Sequence, residues 1–479
     1  MPGGERFVAS ARGSYPPTIT DYDLVIVGAG TGNMFPAVGL EGLRIAIIER
    51  DRFGGTCLNR GCIPSKMLVH AADVAETVRR ADRYGIRAEF IQAEWTAIRD
   101  RIFGRIDPLS EQAVAFRRGN GVDVYLGEAR FVDTRVLEVD GQRIRGEQIV
   151  LAVGSRPRVP EIVGLTEVPF HTSDTIMRLD ALPSSLVIVG GGSVAAEMGH
   201  VFGALGSEIM IVNRGPRLLG TLDDDVAQRF TERFSERFDV RVSTVVEHVE
   251  RTPRGIAVHL DGEHGHGVVE GEMLLIATGR IPNSDLLDAG TGGLATDAHG
   301  HVITDETNAT SVGGVWAIGD LANHYQLKHL ANAEMRVVLH NVLHAGEPRR
   351  QAFPVVPAAV FAEPQVATAG PTERALRDQG KPFVVSRRNY SDTGYGWALE
   401  DTTSFVKLLA DPTTGRLLAA HIIGPQASIL IQPLVQGICL DNTIEELARD
   451  VLYIHPALSE VIAQALLGLA DAAAPDEPV

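Results

Sequence analysis

Cysteine is nearly missing from this chain of 479 residues: there are three, Cys57, Cys62 and Cys439. So few cannot staple a fold, and a chain of this length with 44% apolar residues can bury large cores without them. Positive charge is scarce as well. With 61 acidic against 44 basic residues the formal charge is −17, which excludes the basic footprint that nucleic acid or an anionic membrane requires. No apolar run approaches the roughly eighteen residues of a membrane span. Residues 1–20 hold charge, Pro and Gly but not the apolar stretch of a secretory leader. The expectation is a cytoplasmic protein of several domains, with a flexible tail over residues 1–20 and a small-molecule partner rather than nucleic acid or membrane.

Two of the three cysteines fall together, in GGTCLNRGCIPSKM at residues 54–67, with four residues between them. In a reducing compartment such a pair is redox-active or metal-binding before it is structural. A metal would need two more ligands, and only His70 is close in sequence, so redox chemistry is favoured and no metal is expected.

The segment DYDLVIVGAGTGNM opens with a β-branched run at residues 24–27, the pattern of a parallel strand buried on both faces. Gly28, Gly30 and Gly32 follow, and predict a tight turn that lets a pyrophosphate approach backbone N–H groups at the start of a helix. That helix would carry NMFPAVGLEGLR, with Asn33 replacing the last glycine of the usual pattern and Pro36 tolerated in its first turn. The next strand ends at Glu49, nineteen residues after Gly30, where an acid accepts hydrogen bonds from an adenosine ribose.

A second copy of this unit lies at residues 184–219. Residues 186–189 form its first strand, Gly190, Gly192 and Ala195 complete its glycine pattern, and residues 208–212 form its second strand. Its tip carries Asn213 and Arg214, with Arg217 just beyond, in place of an acid. Guanidinium groups hold a 2′-phosphate that a carboxylate would repel, so this site is expected to take NADPH.

A third element, TSVGGVWAIGD at residues 310–320, is an apolar strand ending in Gly319 and Asp320. It resembles the second FAD-binding motif of flavoproteins with two dinucleotide-binding units. LAVGSRP, with Gly154, and IATGRIPN, with Gly279, resemble the crossing points between their FAD and NAD(P) domains. In this order of motifs the cysteine segment resembles the redox disulfide of the group I pyridine nucleotide-disulfide oxidoreductases. The resemblance implies FAD in the first site, with Gly55 and Thr56 also at the cofactor, and NADPH in the second. It implies that Cys57 is the thiol that attacks a substrate disulfide, that Cys62 is the thiolate beside the flavin, and that Lys66 pairs with Glu197. A helix starting near Cys62 would favour a thiolate through its dipole.

Disulfide exchange also needs a group that moves protons near neutral pH, which suits histidine. His455 in YIHPALSEV is followed by Pro456, read as a helix start, and by Glu460, which would orient the ring. The family's His-Pro-x-x-x-Glu has this spacing. There the histidine serves the other subunit, so the resemblance implies a homodimer.

The implied architecture is an α/β fold like that of glutathione reductase, with two Rossmann-like dinucleotide-binding domains and an α+β dimerisation domain. The FAD domain is expected over residues 21–157 and again over 283–352, the NADPH domain over 158–282, the dimerisation domain over 353–470, and a flexible tail over 471–479. Val38 and Gly39 stand where arginines would meet the carboxylates of glutathione, and no cysteine pair follows Cys439, which is read as a core residue. The segments FGRIDP, HTSDTIMR, YGWALEDT, QASILIQPL and HPALSEV resemble the mycothione-reducing branch of the family, so mycothione, the disulfide of mycothiol, is the expected substrate. A dihydrolipoyl dehydrogenase or another reductase of small disulfides is the alternative.

Overall fold

The computed structural model describes residues 19–36, 40–263, 265–351 and 353–473. The chain opens with β1 (Ile19–Val27), which runs parallel to β2 (Ile45–Glu49). Leu24, Val25 and Ile26 are fully buried, as a β-branched run covered on both faces requires. The first strand begins at Ile19, two residues inside the expected tail, because Ile19 and Thr20 pair with Arg143 and Ile144.

The dithiol follows β2 directly. Cys57 lies in α1 (Gly55–Arg60) and Cys62 opens α2 (Cys62–Arg79). The helix expected to start near Cys62 does so, and Cys57 lies in a separate short helix, broken from it at Gly61. A Cβ at Gly61 would stand 2.9 Å from the carbonyl oxygen of Thr56, so the close approach of the two helices requires glycine there.

After α3 (Trp95–Gly119), the strands β3 (Asp123–Leu126), β4 (Arg130–Asp133), β5 (Val136–Val139) and β6 (Gln142–Leu151) complete a sheet in the order β3-β2-β1-β6-β5-β4. A short crossing ribbon, β7 (Ser155–Pro157), leads to β8 (Ser185–Val189), α4 (Ser193–Leu205), β9 (Glu208–Val212), α5 (Asp224–Ser235) and β10 (Asp239–Arg241). An antiparallel sheet of β11 (Thr244–Thr252), β12 (Gly255–Gly262) and β13 (Gly265–Gly271) follows. Then β14 (Met273–Ile276) closes the second parallel sheet in the order β10-β9-β8-β14. The return strand β15 (Arg280–Pro282) pairs with β7, and β16 (Val315–Ala317) joins the first sheet beside β6. After α6 (Lys328–Leu343) come β17 (Ala358–Val360), β18 (Val366–Ala369), α7 (Glu373–Asp378), β19 (Val384–Asn389), β20 (Phe405–Ala410) and β21 (Leu417–Ile423), whose five strands form an antiparallel sheet.

One apolar cluster ties these layers together. It runs from Leu68 on α2 and Ile102 on α3 through Phe202 on α4 and Phe234 on α5 to Phe405 on β20. Burying each large side chain contributes about 1.5–3 kcal/mol, so the dithiol helix is anchored to the second parallel sheet and to the five-stranded antiparallel sheet. The last helix runs Ser459–Ala473, three residues into the expected C-terminal tail. Among the described residues no helix is long and apolar enough to cross a membrane.

Three local expectations are corrected. After the first glycine turn only a single 3-10 turn, Thr31–Asn33, forms among the described residues, and Pro36 lies beyond it rather than in a helix. Arg117, 5% exposed on α3, explains this: its guanidinium donates to the side chain of Asn33 and to the carbonyls of Asn33 and Phe35, and lies 3.6 Å from the Phe35 ring. The loop is tied to a helix more than eighty residues away, and Asn33 is one of the ties. Val38 and Gly39 lie outside the described residues. Cys439 is exposed, not core, at the end of the helix Gln432–Cys439. Pro456 precedes the last helix by three residues instead of opening it, after a cis peptide bond from His455.

Candidate active site

The glycine turn after β1 is shaped for a group that passes against the backbone. A Cβ at Gly28 would stand 2.4 Å from the carbonyl oxygen of Ala152, and one at Gly55 would stand 2.8 Å from Cα of Gly30. Bare backbone therefore faces bare backbone between the turn and the residue that opens α1. A cavity of about 440 Å³ begins there. Gly28, Gly30, Glu49, Thr56, Cys57, Cys62, Gly154, Gly319 and Asp320 all line it, and it extends to Ser193 and Glu197 on α4. Gly32 packs inward, facing Ile26.

Glu49 closes one end. Its carboxylate accepts from the N–H of Ala29 at 2.7 Å and from that of Asp51 at 2.9 Å, and burial pushes its pKa up against those bonds. Asp320 closes another side, accepting from the Ser155 hydroxyl at 2.6 Å. The N–H of Gly319 donates to buried Glu334 at 2.6 Å. The backbone cradle, the acid at the tip of β2 and the acid after β16 fit a dinucleotide such as FAD.

The two cysteines are free thiols in this structure, and their surroundings shift them in opposite directions. Cys57 donates a hydrogen bond to Cys62, which pushes the Cys57 pKa far up, with burial adding to the rise. The same bond lowers Cys62 to about 7, assisted by the charge of Lys66 against the opposing effect of burial. The arrangement is a thiol beside a thiolate. A charge-assisted hydrogen bond is worth about 1.5–3 kcal/mol, or about one to two pH units. Thiolate absorbance of the reduced protein is thus expected to titrate near pH 7, and Cys57→Ala to move that midpoint up by this amount. An unmoved midpoint would show that Cys57 does not hold the charge on Cys62.

Lys66 is fixed by its acid partner. Its ammonium donates to both oxygens of Glu197 at 2.7 Å and lies 4.6 Å from the Phe361 ring. Glu197 also accepts from the N–H of Phe361 at 3.1 Å. This pair joins α2 to α4 and so links the two parallel-sheet units beside the dithiol.

Around the second glycine turn, a Cβ at Gly190 would stand 2.2 Å from the carbonyl oxygen of Ala277, whereas one at Gly192, the residue before α4, would meet open space. That leaves room for a second dinucleotide at the helix end. Asn213 turns inward, donating to the carbonyls of Gly215 and Arg217. Arg214 is exposed on the same loop, and Arg217 pairs with Asp224 at 2.8 Å. Gly279 adopts a positive φ in the crossing between β14 and β15.

His455 does not line the cavity. It is 77% exposed, and its Nδ1 lies 2.6 Å from a carboxylate oxygen of Glu460. The residues before it are apolar and open: Leu452 is 96% exposed and Ile454 74%.

The sequence reading missed Lys328, the first residue of α6. It lines the cavity with the cysteines and donates to the Thr31 hydroxyl at 2.9 Å. Burial lowers its pKa, while the charges of Cys57 and Cys62 oppose the change. Arg280 was missed too; it donates to the hydroxyl and the carbonyl of Ser155, both at 2.8 Å, and braces the crossing ribbon.

One backbone cradle and a dithiol on one cavity, with a second glycine turn beside the helix that closes it, define an FAD-dependent NAD(P)H disulfide oxidoreductase. The chain belongs to the pyridine nucleotide-disulphide oxidoreductases, matching that family over residues 22–336 and its dimerisation domain over residues 356–466. It is 45% identical to the mycothione reductase of Mycobacterium tuberculosis over 459 residues, covering 94% of this chain and 99% of that one. A dihydrolipoyl dehydrogenase of Halobacterium salinarum is 34% identical, with 93% and 96% covered. Among solved structures, the HOCl-induced flavoprotein disulfide reductase RclA from Escherichia coli matches with a TM-score of 0.81 at 26% identity, over 93% of this chain and 99% of that one.

Proposed function

We propose that this protein reduces mycothione to mycothiol with NADPH, as a homodimer, through Cys57 and Cys62. One observation carries the dithiol chemistry: Cys57 and Cys62 line the same cavity as the first glycine turn, Glu49 and Glu197. The similarity to a mycothione reductase over nearly the whole chain supports the substrate.

When bound, FAD supplies two-electron transfer between the nicotinamide and the dithiol. Cys57 gives up its proton to His455, and its sulfur attacks one sulfur of the substrate. The S–S bond breaks, a Cys57–substrate mixed disulfide forms, and the first thiolate leaves, taking its proton back from His455. Cys62 then attacks the Cys57 sulfur, the second thiolate leaves, and the Cys57–Cys62 disulfide closes. The dithiol is oxidised by two electrons and the substrate is reduced by two. Glu460 holds the imidazole, and Lys66 favours charge on Cys62. In one chain His455 is exposed and absent from the cavity lining, and it follows an apolar segment that suits a subunit interface. It therefore serves the dithiol of the partner subunit.

Arg214 and Arg217 are the proposed ligands of the 2′-phosphate. The test is NADPH and NADH oxidation with mycothione, oxidised glutathione and lipoamide. Mycothione with NADPH is the expected preferred pair. Removing two charge-assisted contacts at about 1.5–3 kcal/mol each, Arg214→Ala/Arg217→Ala is expected to lower kcat/KM for NADPH by at least about a hundredfold and to leave that for NADH nearly unchanged. A preference for lipoamide with NADH in the unaltered protein would overturn both the substrate and the cofactor assignment.

A further inference from the structure

The outward face of the sheet β11-β12-β13 carries groups that dithiol chemistry does not use. His248 on β11 and His259 on β12 are direct cross-strand partners, and their rings stack at 3.8 Å with 13° between planes. Glu250, two residues along β11, projects to the same side, and its carboxylate lies 2.9 Å from Nε2 of His259. The inward face is apolar, with Val249, Ile256, Val258 and Leu260 all buried. The pleat therefore fixes the two histidines and the glutamate outward on a paired, rigid backbone.

One ligand atom from each of His248, Glu250 and His259 lies within 4.8 Å of the other two. Around a single Zn²⁺ with bonds of about 2.0–2.2 Å, such atoms stand about 3.3 Å apart. Side-chain torsions alone span that difference. We propose that His248, Glu250 and His259 bind one borderline divalent cation, of the class of Zn²⁺, Cu²⁺ and Ni²⁺, with a coordination position left for water. Two imidazoles and one carboxylate select such ions over Mg²⁺ and Ca²⁺, which prefer oxygen. Both histidines are half-buried, so the ion would be partly enclosed. A neighbouring cluster of Glu247, Asp261 and His266 is more open to solvent and offers one nitrogen, so it is the poorer site and the natural control.

Because thiols compete for these metals, the experiment uses FAD-loaded protein with all three cysteines changed to serine. Calorimetric titration with Zn²⁺ is expected to show one strong equivalent per chain. His248→Ala and His259→Ala should each weaken it by at least about tenfold, while His266→Ala leaves it in place. Unchanged affinity in the first two variants, or loss in the third alone, overturns the assignment. A second readout requires no histidine variant: the electron paramagnetic resonance spectrum of one bound Cu²⁺ should show coupling to two nitrogens, and coupling to one or none also overturns the assignment.

Discussion

Cys57→Ser is expected to lower disulfide turnover by at least about three orders of magnitude while NADPH still reduces the bound flavin at close to the normal rate. Serine's hydroxyl can donate to Cys62 as the Cys57 thiol does, so the thiolate and the helix break at Gly61 survive the exchange. What disappears is the nucleophile: a hydroxyl ionises far less readily than a thiol and forms no mixed disulfide. Rapid-mixing measurement of flavin bleaching, followed by steady-state assay with mycothione, separates the two half-reactions. Turnover persisting above one per cent would remove Cys57 from its role. Loss of both halves together would point to a damaged flavin site instead.

The second large effect concerns stability. Lys407 on β20 is 3% exposed, and its ammonium meets Asp223 at 2.9 Å, Asp225 at 2.8 Å and Glu373 at 2.6 Å. Asp223, fully buried, also caps α5 by accepting from the N–H of Asp225, and accepts from the N–H of Glu373. The cluster bolts the helix of the second parallel unit to the five-stranded sheet. Lys407→Met would leave buried carboxylates without their cation, at a cost of about 3–5 kcal/mol. Denaturant titration at fixed protomer concentration measures it; a change under about 1 kcal/mol would show that the cluster relaxes freely.

Acid should narrow the gap between the two proteins. Burial pushes the Asp223 pKa up, but His421, Lys407 and the N–H of Glu373 more than offset it, so the net direction is down. Glu373 is likewise held below its ordinary value, burial being outweighed by Lys407 and Arg377. Their stabilisation is full above the unfolded carboxylate range near pH ~4 and is lost as pH falls through the lower folded values. Burial alone would lower Lys407, but its three acid partners raise it overall. Its contribution is thus complete below the unfolded lysine value of about 10.4 and fades only as pH rises further. The variant's deficit should therefore be largest around neutrality and shrink on acidification.

Local pattern carried much of the architecture. The β-branched run of β1, the acid ending β2 and the short spacing of the cysteines are each statements about neighbours in sequence, and each has its structural counterpart. What stayed hidden is non-local. That Thr31–Asn33 forms only a single turn among the described residues reflects Arg117, arriving from α3, and no residue near Asn33 announces that partner. Cys57 has its own helix because Gly61 lets two backbones meet, a contact that spacing alone does not reveal. Lys328 had a signal that composition could have raised: only four lysines occur in the chain, Lys66, Lys328, Lys381 and Lys407, against forty arginines, so each lysine marks a position where an ammonium rather than a guanidinium stands.

Reagents that acylate amines would find few handles on this molecule. Lys407 is walled in by carboxylates, Lys66 is clasped by Glu197, and Lys328 is half-buried beside the sulfurs. Lys381, exposed in the turn between α7 and β19, is the open side-chain ammonium among the described residues. A dye or surface tether coupled through lysine would gather there, outside the cavity, and hold successive copies in a common orientation.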